Sequence, residues 1–467
     1  MTISRVHSFF RLFKQAIQGK EQDYTALGID KAIFLLSVPM ILEMIMEAVF
    51  AVVDVFFVSQ LKDNDAVATI GLTESVLTLV YSVAIGLSMG ATAMVARRVG
   101  EKDIPSAEVA AVQSVYIALV ISLVVSFAGI LFSEDILRLM GASNELIRNN
   151  VGYTRWMFTG NITIMMLFLI NAIFRGAGDA SLAMRSLLLA NGINIVLDPV
   201  FIFGLGPIPH MGVEGAAIAT NIGRGAGVLY QLYHLVYGKG LVKVTRKNLM
   251  LRWDIIVRLL KVSAGGTGQF LIASASWLFL VRIMSTFGSA AVAGYTIAIR
   301  LIVFAILPAW GMANASATLV GQNLGAGQPD RAEKSVWRAA FLNMIFLAAV
   351  TVIFLVFARP LLGLFTDDQE VLRNGIQCLQ IVSLGYVFYA YGMVVSQSFN
   401  GAGDTRTPTI INFVGFWLFQ IPLAYLLALK FGVGTPGVYA AISIAESAIA
   451  IAGIIIFRQG KWKTVKI

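Results

Sequence analysis

About twelve mainly apolar stretches, each of roughly 20 residues or more, recur along this chain of 467 residues, and no soluble fold has room to bury so many. They lie near 32–58, 67–95, 108–132, 151–173, 183–204, 213–237, 254–284, 290–320, 335–357, 375–398, 408–429 and 434–457. Only 13% of the residues are charged, against about 25% in soluble domains, while 58% are apolar. Disordered, fibrous and disulfide-rich secreted chains are excluded by the same numbers. The single cysteine, Cys378, cannot close an intramolecular disulfide, and three histidines leave little for a zinc site. The expected fold is therefore an all-α polytopic membrane protein.

The net charge of +9 would suit a nucleic acid, but the placement of the cations fits membrane topology better, so no nucleic-acid partner is expected. Arg5, Arg11, Lys14, Lys20 and Lys31 precede or open the first span. Arg97, Arg98 and Lys102 follow the second, Lys239, Lys243, Arg246, Lys247 and Arg252 follow the sixth, and Arg458, Lys461, Lys463 and Lys466 follow the last. With an even number of spans these clusters share one side, whereas an opposite loop holds Asp367, Asp368 and Glu370. Both termini are thus expected to be cytoplasmic, with the chain in a plasma or bacterial or archaeal inner membrane.

The chain also repeats itself. Phe174-Arg175-Gly176-Ala177-Gly178-Asp179 returns as Phe399-Asn400-Gly401-Ala402-Gly403-Asp404, an offset of 225 with one mismatch. At that offset Gly86, Val95, Gly100, Ala107 and Glu108 recur as Gly311, Val320, Gly325, Ala332 and Glu333, and Ala66-Val67-Ala68 as Ala291-Val292-Ala293. Six spans therefore repeat as six, both halves starting on one side, which predicts two parallel six-helix lobes in a V around a central cleft. The boundaries expected are a tail at 1–30, a first lobe at 31–237, a linker at 238–253, a second lobe at 254–457 and a tail at 458–467. The repeated glycines suit tight turns, and the Asp that follows suits a helix cap.

Ionisable groups inside a bilayer are costly, by about 3 kcal/mol each on insertion scales, and mark function by default. Glu43, Glu47 and Asp54 in the first span fall within roughly 40° of one helical face, which must meet water or protein. In the fifth span Asn194 and Asp198 share a face, and Pro199 frees the carbonyl of Ile195. Oxygens of this kind suit Na+, and a buried carboxylate also suits a proton relay; Thr220 of the sixth span adds a hydroxyl. The second half has Ser274–Phe279 and Gln420–Ala424 at the corresponding places, without acids. Its deep charges are Arg282, expected at an interface, and Arg300 and Glu446, expected to pair as a structural salt bridge. Ion coupling is accordingly assigned to residues 32–237. Glu43 and Glu47 are expected to meet a cationic substrate or a second proton.

The Val53-Asp54-Val55-Phe56-Phe57-Val58 segment, Leu197-Asp198-Pro199, Gly215-Ala216-Ala217-Ile218-Ala219-Thr220 and the paired Gly-Ala-Gly-Asp turns resemble MATE (multidrug and toxic compound extrusion) transporters of the MOP exporter superfamily. The resemblance spans nearly the whole chain. It implies a secondary antiporter that exports organic cations, drugs or metabolites in exchange for Na+ or H+, with no other cofactor. It also implies a DinF-like coupling site on Asp54, Asn194, Asp198 and Thr220. The NorM-like branch adds carboxylates where this chain has Ala273 and Tyr389. The partners implied are a small organic cation and the lipid bilayer, and a two-lobe repeat can work as a monomer. A lipid-linked oligosaccharide flippase is the alternative, although the first half's charges read as acidic. An enzyme is not expected: Asp63/Asp65 and Asp367/Asp368 lack supporting ligands and His210 is isolated.

Overall fold

A backbone surrounded by lipid must satisfy its polar groups within each segment, and helices do this over nearly all of residues 2–19, 22–61 and 63–467, which the computed structural model describes. The first half consists of α1 (Thr2–Gln18), α2 (Ile29–Ser59), α3 (Asn64–Gly100), α4 (Ile104–Leu131), α5 (Ser133–Leu139), α6 (Asn144–Thr159), α7 (Asn161–Ala177), α8 (Ala180–Phe203) and α9 (Gly212–Tyr237). The second consists of α10 (Trp253–Met284), α11 (Ser289–Gly325), α12 (Pro329–Gly363), α13 (Gln369–Ser383), α14 (Tyr386–Ala402), α15 (Arg406–Asn412), α16 (Ile421–Tyr425) and α17 (Thr435–Arg458).

Among the described residues nine helices are long and apolar enough to cross a bilayer, α6 and α7 counting as one. The pair α13–α14, bent by 60°, makes a tenth. α2 and α9, of 31 and 26 residues, complete the expected set and carry most of the charges discussed below. One difference from expectation lies in the eleventh span. Two π-helical stretches, Phe413–Gln420 and Leu426–Lys430, flank Pro422, whose missing N–H interrupts the regular ladder.

The repeated turns have the same geometry in both halves. Gly178 (φ 89°) and Gly403 (φ 88°) adopt the left-handed conformation that ends α7 and α14. The Asp179 carboxylate then accepts from the Leu182 amide at 3.1 Å, and Asp404 accepts from the Thr407 amide at 3.2 Å.

The two halves meet through the repeated glycines. α3 packs along α10 and α11, and α2 along α11. A Cβ on Gly86 would lie 2.6 Å from the Ser263 carbonyl oxygen, and one on its counterpart Gly311 would lie 2.7 Å from that of Met40. Gly100 would meet the Gln322 carbonyl at 2.0 Å and Gly325 that of Arg97 at 2.1 Å. The helices therefore touch backbone to backbone on the side that holds both termini. Each tail is gripped there from the opposite half: Arg331 donates to the carbonyls of Tyr24 (3.1 Å) and Leu27, and Arg97 to that of Val465 (2.9 Å). The Lys463 ammonium, bonded to Glu333 at 2.6 Å, is held above the usual lysine range by that contact.

Because these contacts are between backbones, little can yield. Gly100→Ala is expected to lose about 1–3 kcal/mol of stability, read as a lower melting temperature in detergent. Gly71→Ala, on the same helix with nothing within 4 Å of the added Cβ, is expected to be neutral or to gain up to about 1 kcal/mol. Equal effects at the two positions would contradict the packing argument.

Candidate functional site

Three groups of polar side chains are buried among the apolar helices, and α2 runs past all of them. The first joins α2, α8 and α9. Gly223 lets α9 approach α8 closely, since a Cβ there would lie 2.6 Å from the Ala190 carbonyl and 3.0 Å from the Asn194 Cβ. That approach brings Asn194 and Thr220 together. The Asn194 amide donates to Asp198 Oδ1 at 3.1 Å and to Thr220 Oγ1 at 3.2 Å. Asp198 is fully buried, and Asp54 on α2 lies within electrostatic reach of it. Asp54 Oδ1, Asn194 Oδ1 and Asp198 Oδ2 are buried without a hydrogen-bond donor among the described residues. Asn194, Asp198 and Thr220 thus come together as a cluster rich in acceptor oxygens, with Asp54 within electrostatic reach of it, which is what a hard cation or a proton seeks.

The second group surrounds Glu43. Arg175 Nη1 donates to Glu43 Oε1 at 2.6 Å and Asn171 Nδ2 to the same oxygen at 3.1 Å. Gln231 in turn donates to Asn171 Oδ1 at 2.6 Å. In the second half the equivalent place holds an amide pair: Gln269 donates to Asn400 Oδ1 at 2.9 Å, Asn400 being the repeat counterpart of Arg175. The one mismatch in the repeated hexapeptide therefore exchanges an ion pair for a neutral one.

The third group centres on Arg224 of α9, which is 6% exposed. It donates to the Tyr81 hydroxyl at 3.1 Å and lies 5.4 Å from the centre of the Phe50 ring. Glu47, Asp54 and Glu74 all interact with it electrostatically, yet no carboxylate oxygen among the described residues reaches it within 4.0 Å. Arg224 is a buried cation shared by three acids.

Between the halves lies a cavity of about 730 Å³. Glu43 and Glu47 line it from α2, Trp277 and Trp310 from α10 and α11, and Tyr389 and Glu446 from α14 and α17. Ala273 also lines it, whereas Asp54, Asn194, Asp198 and Thr220 do not. The oxygen cluster and the cavity are distinct places joined by α2 and by α8, whose Leu187 also lines the cavity.

Two expectations are corrected. Arg300 and Glu446 form no ion pair: Arg300 is exposed and its acidic neighbour is Glu74 of the other half, while Glu446 faces the cavity. α11 and α17 turn these residues to different surroundings although both sit in mid-span. Nor are the first half's buried charges only acidic, since Arg175 and Arg224 lie among them. The rule that singled out the acids would have found Arg224 inside the Gly223-Arg224-Gly225 stretch. Arg175 was concealed by the turn to which it belongs.

Known proteins resemble this chain over most of its length. The family described as MatE matches residues 39–200 and 267–426. The chain is 26% identical over 456 residues to a probable multidrug resistance protein NorM of Thermotoga maritima, covering 97% of each. It is 24% identical over 428 residues to the multidrug export protein MepA of Staphylococcus aureus, covering 91% of this chain and 93% of that one. A crystal structure of MATE in complex with MaL6 superposes with a TM-score of 0.89 at 28% identity, covering 95% of this chain and 98% of the other. An outward-facing multidrug resistance MATE family transporter of the MOP superfamily gives 0.88 at 29% identity, covering 93% and 96%.

Proposed function

The chain belongs to the MatE family of multi-pass membrane transporters, and from that premise we propose a secondary antiporter that exports organic cations, drugs or metabolites in exchange for Na+ or H+. The observation that carries the coupling site is the trio of buried acceptor oxygens on Asp54, Asn194 and Asp198, with Thr220 holding the Asn194 amide in place. We read it as a DinF-like coupling site. Two carboxylates close together repel, and a proton or Na+ entering between them removes that repulsion. α2 then repacks against α8, to which Asn191 ties it through the Met46 carbonyl at 3.1 Å. Because the same helix carries Glu43 and Glu47 on the cavity wall, the repacking changes the cavity and lowers its affinity for the drug.

The protein resides in the plasma or inner membrane with both termini in the cytoplasm, a placement supported by Arg97, Arg98, Arg185, Arg331 and Arg338 gathered at the closed side. It works as a monomer with two lobes, 31–237 and 254–457. The flippase alternative is not favoured: the relatives are multidrug proteins, and Arg175 and Arg224 of the first half already have carboxylates as electrostatic partners, leaving neither for a pyrophosphate.

Reconstituted vesicles with separately imposed pH and sodium gradients test the reading. One gradient is expected to drive uptake of a fluorescent cation, and the other is not. Uptake that ignores both would overturn antiport.

A further inference from the structure

The acids on the cavity wall differ in whether a cation already answers them. Glu43 is bonded to Arg175 at 2.6 Å, and Glu47 lies within electrostatic reach of Arg224, though beyond 4.0 Å. Glu446 has no hydrogen bond and no ion pair among the described residues, and Arg300 faces Glu74 instead. Its electrostatic neighbours are Tyr386 and Tyr389, and Glu446, half-buried, lines the cavity. A carboxylate in so apolar a place is costly unless a cation joins it. The cavity, at about 730 Å³, has the size of a site for one drug-sized molecule.

We propose that Glu446, in the second half, is the charge anchor for the exported cation, and that Glu43 and Glu47 belong instead to the internal network of the first half. The ligand class is a lipophilic monocation, an aromatic or quaternary ion whose charge meets Glu446. Its apolar body lies on Tyr389, Trp310 and Trp277, rings that attract cations by their faces. Cargo and coupling ion then occupy different halves and communicate through the shared cavity wall. This rests on the export reading above and adds the residue that selects for charge.

The test is equilibrium binding to the full-length protein in nanodiscs with no gradient, read by quenching of tryptophan fluorescence. Tetraphenylphosphonium serves as the monocation, and an uncharged aromatic probe of similar size as control. Glu446→Gln is expected to weaken the monocation by about tenfold or more and to leave the neutral probe unchanged. Glu446→Asp should give a smaller loss in the same direction, and it replaces the Gln variant if that one does not survive purification. Glu47→Gln should change monocation affinity by less than about threefold. Unchanged monocation binding in both Glu446 variants, equal loss for the neutral probe, or a larger loss from Glu47→Gln would each overturn the proposal. Asp198→Asn is expected to hold the cavity in its weak-binding state, and adding Glu446→Gln to it should still weaken the monocation and spare the neutral probe, so a failure of the coupling assignment shows in transport and a failure of the anchor shows in binding.

Discussion

Replacing Asp54 and Asp198 together by asparagine is expected to reduce gradient-driven export by about 10- to 100-fold and to leave drug binding at the weak, ion-occupied level whatever the pH or Na+ concentration. Asparagine keeps nearly the size of aspartate and one acceptor oxygen, so the packing of α2 against α8 is preserved. It cannot carry a titrating proton or a negative charge, and a coupling ion gains nothing by entering. The single Asp198→Asn change should have most of the effect, because Asp198 is fully buried and already bonded to Asn194 at 3.1 Å, whereas Asp54 is only half-buried. Initial rates of fluorescent-cation efflux, compared with binding measured without a gradient, separate the two steps. Normal efflux by the double variant would refute the assignment of coupling to this cluster.

The second large effect is expected at Arg224. Arg224→Met should destabilise the protein by about 3 kcal/mol, because it leaves Glu47, Asp54 and Glu74 facing one another without the cation they share. The long apolar methionine retains contact with Phe50, so the loss measures charge more than packing. Adding Glu47→Gln should recover a substantial part of the stability by removing one of the stranded acids. Melting temperatures in detergent for the two variants give the answer. If the added Glu47→Gln lowers stability further, Arg224 is held by its ring contacts and not by the carboxylates.

Arg175 and Arg224 also explain an asymmetry between the halves. The first half pairs Glu43 with Arg175 where the second pairs Gln269 with Asn400. A neutral amide pair holds two helices together without responding to an ion, while charged groups that share counterions respond when one charge is cancelled. Duplication thus supplied two equal scaffolds, of which one carries a charged interior and the other a cavity wall with a single unanswered acid.

Hydropathy, the offset of 225 and the turn residues are local properties, and they sufficed for the helical architecture, the repeat, the caps at Asp179 and Asp404, and the recognition that Glu43, Glu47, Asp54 and Asp198 needed explaining. Helical spacing put Asn194 beside Asp198 because residues four apart share a face on any helix. Which charge answers which was decided only by tertiary structure. Arg224 meets Glu47 and Asp54 from more than 150 positions away, and Arg300 turns to Glu74 rather than to Glu446. The physical reason is that electrostatic partnership depends on how helices rotate and cross. That is fixed by close contacts such as Gly223 against Ala190 and Gly100 against Gln322, and no single helix encodes it alone.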